Sequence, residues 1–66
     1  MAYIIKTIAG EVVDGGQTRD QVIRALQNHG FISFRESAPD WKLPRFGKAL
    51  VLSNPLPLPS CIIEHL

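Results

Sequence analysis

Cys61, His29 and His65 are the side chains of this sequence best able to ligate a soft metal or to act as nucleophile and base. Cys61 and His65 are four residues apart and would share one face of a helix, but no second close-spaced pair supplies the three or four ligands a metal site needs. A reactive thiolate also needs an electropositive neighbour. Cys61 is followed instead by Ile62 and Ile63, the setting of an inert core cysteine. Gly15-Gly16 is an isolated pair without the further glycine or the lysine that a phosphate-binding loop requires, and no serine sits in a nucleophile elbow. With no convergent site, the residues imply a protein that is not an enzyme and that needs neither metal nor cofactor.

Recognition is the chemistry that remains, and it concentrates between Arg35 and Lys48. Four cations (Arg35, Lys42, Arg45, Lys48) stand there against two acids (Glu36, Asp40), whereas the first 34 residues balance at three of each sign. Trp41 and Phe46 are interleaved with those cations, so Arg35, Trp41, Lys42, Arg45, Phe46 and Lys48 are the candidate partner-binding residues. Aromatic and cationic side chains together can anchor a protein interface, or they can stack on unpaired bases and neutralise phosphates. A third reading is structural: in so small a domain, Trp41 and Phe46 can fold back to cap the core while the cations stay solvated. The prolines at 55, 57 and 59 are never three apart, so the segment lacks the PxxP spacing of ligands for proline-recognising domains.

The elements that must position these residues are constrained by size. A chain of 66 residues makes one domain, 1–66, and domains this short hide only about 60% of their unfolded surface, which leaves stability marginal. Apolar residues at 45% and charged residues at 20% describe an ordinary globular mixture rather than a disordered tail. A net charge of +1 provides no global field toward nucleic acid or membrane. The single cysteine excludes an internal disulfide and suits a reducing compartment, so a cytoplasmic location is expected. The opening ten residues lack the pattern of a signal peptide, and no apolar run approaches a membrane span.

Tyr3 to Ala9 is rich in β-branched and aromatic residues and reads as a strand. Tyr3, Ile5 and Thr7 share one face and Ile4, Lys6 and Ile8 the other, a blurred alternation typical of a strand covered on both sides. Glu11-Val12-Val13 continues it past a bulge or returns as a short strand, and Asp14-Gly15-Gly16 has turn chemistry. Thr18 followed by Gln21 matches a capping box, Asp20 suits the helix dipole and stands four residues before Arg24, and Val22, Ile23, Ala25 and Leu26 form an apolar stripe. Gly30 is the stop signal, so a helix is expected over 19–29. Phe31 to Glu36 reads as a second strand with Ile32 and Phe34 facing the core, and Lys48 to Ser53 as a third, joined by an irregular connection. Asn54 to Pro59 favours an extended polyproline-like path, and Ser60 to Leu66 forms either a short last strand or one helical turn.

Two stretches resemble known families. Ala2-Tyr3-Ile4-Ile5-Lys6, followed by a polar turn, a helix and two strands, resembles the start of certain small phage-encoded anti-CRISPR proteins. The resemblance implies a single-domain, non-enzymatic inhibitor that binds a Cas protein or surveillance complex and blocks its access to DNA. Val22 to Arg35 looks like the helix, glycine and strand that open small toxin ribonucleases of the double-stranded-RNA-binding fold, which place a catalytic histidine just after that strand. Residues 36 to 47 hold no histidine here, so the resemblance leaves that role empty.

These readings converge on an α+β fold: an antiparallel-rich sheet of three or four strands with one helix on one face, in the order β, α, β, β. If the first two strands are neighbours, the helical crossover makes them a parallel, right-handed pair. The expected function is occupation of a protein or ribonucleoprotein surface, as in an inhibitor of a phage-defence complex. A nucleic-acid-binding regulator is the alternative. No membrane partner is expected, and a sheet edge is open to a second copy of the chain.

Overall fold

The computed structural model describes residues 2–35 and 39–66. Its elements run β1 (Tyr3–Thr7), β2 (Val12–Gly16), α1 (Arg19–Asn28), β3 (Ala49–Leu52) and β4 (Cys61–His65), and the sheet order is β2-β1-β4-β3. This is the expected α+β class, one helix against a four-stranded sheet, but the chain order is ββαββ and every pairing is antiparallel. The anticipated parallel crossover is absent because β2 and the C-terminal β4, not a strand directly after the helix, take the places beside β1. Cys61-Ile62-Ile63 brings two β-branched residues to that central position, where Ile63 lies opposite both Ile5 and Leu50.

β2 is the returning strand, and it enters early. Its register shifts between Ile5 and Lys6, so that Asp14 faces Ile5, Val12 faces Lys6, and Val13 is the extra residue of a bulge. Asp14-Gly15-Gly16, expected as a turn, is therefore strand. Gly16 is there for space rather than for turning: a Cβ on it would lie 2.9 Å from the Gln21 Cβ and 3.1 Å from the Val22 backbone nitrogen. Its bareness lets α1 start directly against the end of β2.

The helix is the element most completely written in its own sequence. The Gln21 N–H donates to Thr18 Oγ1 at 3.2 Å and the Thr18 N–H donates to Gln21 Oε1 at 3.3 Å, closing the capping box. Val22, Ile23, Ala25 and Leu26 are buried. Asp20 and Arg24 are both exposed, and no ion pair joins them among the described contacts. At the other end the Phe31 N–H reaches the Leu26 carbonyl and the Gly30 N–H the Gln27 carbonyl, with Gly30 at φ 76°: a Schellman motif, whose left-handed position favours glycine.

That motif also explains why no strand follows. Phe31 is used to end the helix and pack beside Leu26, and Phe31 and Ile32 are both buried in succession, which an alternating strand cannot do. Phe34, expected in the core, is 72% exposed. Residue 36 of that expected strand lies outside the described residues. α1 lies nearest β1 and β2, and Phe31, Ile32, Trp41 and Leu43 join the core that includes Ile5, Cys61, Ile63, Leu50 and Leu52. The connection from β3 to β4 also departs from expectation. Leu56-Pro57 is cis and the Leu58 N–H donates to the Pro55 carbonyl, a type VI turn in place of an extended path.

Candidate functional site

The described contacts place the six candidate residues in different settings. Arg35 is exposed in the turn that leaves Ile32, its N–H bonded to Ser33 Oγ, and no described contact joins it to the others. Trp41 is half-buried against the core. The Arg19 guanidinium lies 5.1 Å from the centre of its ring and donates to the Trp41 carbonyl at 3.0 Å and the Pro39 carbonyl at 2.6 Å. Arg19 is thus the clasp that holds the irregular segment to the start of the helix. One sequence signal pointed to it: a cation in the first helical turn opposes the helix dipole and calls for another use.

Arg45, Phe46 and Lys48 share one turn, and Lys42 is exposed a few residues before it in the chain. The Lys48 N–H donates to the Arg45 carbonyl, closing a turn, and the Gly47 N–H donates to the His65 carbonyl at 2.8 Å, fixing that turn to the end of β4. Phe46 is consequently held edge-on to His65, ring centres 5.8 Å apart, and His65 stacks on Tyr3 at 4.4 Å. Phe46 nevertheless remains 77% exposed. Lys42, Arg45 and Lys48 are exposed, and none is ion-paired among the described residues. The result is a corner with a supported, exposed aromatic ring flanked in sequence by cations, at the end of the sheet where Tyr3 and His65 meet.

The groups first weighed for catalysis are dispersed. Cys61 is fully buried and burial pushes its thiol up to about 11, so it carries its proton at neutral pH. His29 Nε2 lies 3.0 Å from Asp14 Oδ2, an exposed contact that ties the end of α1 to the bulge of β2. His65 is engaged by Tyr3 and Phe46. Among the described residues no group of three or more His, Cys, Asp or Glu side chains could hold a metal, and no helix is long and apolar enough to cross a membrane.

The chain matches no family model, no curated protein and no solved structure.

Proposed function

We propose that this chain is a non-enzymatic binding protein that acts by occupying an acidic surface of a protein or ribonucleoprotein partner through the corner of Lys42, Arg45, Phe46 and Lys48. The observation that carries the reading is Phe46, 77% exposed yet supported from behind by the His65 and Tyr3 rings. A large apolar ring already held in place loses little freedom on binding, and its neighbouring cations can steer an acidic partner toward it. Nucleic acid is favoured less. The second aromatic that base stacking would use, Trp41, is half-buried and engaged by Arg19, and the net charge is only +1. The resemblance of Ala2 to Lys6 to anti-CRISPR proteins names the first partners to try: purified CRISPR–Cas surveillance complexes and effector proteins.

Binding to such a panel, measured by calorimetry with native protein and with Phe46→Ala, is the test. A bound complex should lose about 2 kcal/mol or more of affinity with Phe46→Ala, the usual scale for an anchor residue. Oligonucleotides, single- or double-stranded, should bind weakly at physiological salt. A tight nucleic-acid complex whose affinity collapses with added salt and with loss of Lys42 and Arg45 would replace this reading with that of a nucleic-acid regulator.

A further inference from the structure

Among the described residues, no helix or strand packs on the sheet face turned away from α1. Register places Ile4, Glu64 and Ala49 in one row across β1, β4 and β3, and Val12, Lys6, Ile62 and Val51 in the next across all four strands. Ile4 and Ile62 are only half-buried, Val12 is 53% exposed and Val51 58%. The rows therefore hold five aliphatic side chains and two charges, and those charges, Lys6 and Glu64, pair with each other across β1 and β4. β1 carries isoleucine on both faces, the composition of a strand covered twice, while among the described residues only the Ile5 side is covered.

From this we infer that the face is an interface between two copies of the chain, packed sheet to sheet about a two-fold axis. The charges choose the occupant. A face with one cation and one anion has no net sign to attract a basic or an acidic partner, but it is complementary to itself. A two-fold axis lying in the interface and passing between Lys6 and Glu64 sets each of them over its counter-charge on the other copy. The aliphatic side chains of the two faces then interdigitate as in the core of a sandwich. The corner around Phe46 is a separate surface, so this inference does not rest on the function proposed for it.

Sedimentation velocity over a concentration series tests it, with native-like circular-dichroism spectra and a cooperative melt as the check that each variant is folded. The native protein should associate to a dimer, and Val51→Lys should be monomeric. Lys6→Glu and Glu64→Lys should each be monomeric alone, because each sets like charges against one another. Mixed in equal amounts they should form a heterodimer, and the exchange variant carrying both substitutions should dimerise like the native chain. A native protein that stays monomeric throughout overturns the inference. So does a dimer indifferent to Lys6→Glu and Val51→Lys, since it would then be built on a sheet edge or on the helix side.

Discussion

Burial makes Cys61 a pH-sensitive element of stability rather than a reagent. Its thiol ionises at about 11 in the folded chain against 9.0 for an unhindered one. The folded state therefore holds the proton more tightly than the unfolded state. Below about pH 9 the stabilisation is complete, and between 9 and 11 it is lost as the unfolded chain releases its proton first. Chemical denaturation across that window should show the native protein losing on the order of 2 kcal/mol more than Cys61→Ala, although the variant begins lower because it leaves a small cavity. Equal slopes for the two proteins would mean that the thiol is not in the core. Asn54 is the residue that sequence reasoning passed over. Its side-chain N–H groups donate to the Phe31 and Pro59 carbonyls, both at 2.7 Å, and its backbone N–H donates to Ser60 Oγ. It joins the exit of the helix to the connection between the last two strands, contacts 23 and 5 residues distant in sequence. Asn54→Ala should cost about 1–3 kcal/mol in a denaturant melt, because it leaves two carbonyls without their donor.

At the scale of the elements, what could be read was what is local. The capping box, the apolar stripe of α1 and the glycine that ends it all lie within a few residues of one another, and each was visible as a pattern. Thr18→Ala should accordingly lower stability by about 1 kcal/mol in a thermal melt followed by circular dichroism. Segments with strand-like composition were harder to assign, because a strand is decided by what pairs with it. Phe31 to Glu36 has the residues of a strand, yet Phe31 serves the helix end and the position beside β1 goes to β4. Asp14-Gly15-Gly16 has the residues of a turn, yet a helix resting on Gly16 makes it an edge strand. Gly16→Ala should be more damaging than Thr18→Ala in the same melt, since the new methyl group meets the first turn of the helix rather than open space. Trp41 had been a candidate both for contact and for packing, and its half-burial beneath Arg19 shows packing. The candidate surface was legible only as a cluster of cations and aromatics. Its division into a packed half at Trp41 and an exposed half at Phe46 depends on the bond from the Gly47 N–H to the His65 carbonyl and on the bonds from the Arg19 guanidinium to the Trp41 and Pro39 carbonyls, partners distant in the sequence.

For the molecule as a whole, the two proposed surfaces lie on different sides of one sheet, and their consequences can be separated. Arg45, Phe46 and Lys48 hang on the end of β4 beside Tyr3 and His65, residues of the rows that hold Ile5 and Ile63 toward the core. Lys6 and Glu64 belong to the opposite face. Two copies joined through that opposite face would leave both Phe46 corners free, so a partner should bind at two copies of this chain to two of its own. Lys6→Glu should reduce the complex to one of each while leaving the affinity per site within about a factor of two, since no corner residue has changed. The combined replacement of Lys42, Arg45 and Lys48 by alanine should do the reverse. It should leave the dimer intact and slow association with an acidic partner, by an amount that shrinks as salt is raised, because exposed charges guide encounter more than they hold a complex together. Stopped-flow association rates at low and high salt, read beside the sedimentation of the same variants, distinguish these effects. If Lys6→Glu abolished partner binding while the triple alanine variant bound at the native rate, the sheet face rather than the Phe46 corner would be the surface the partner covers.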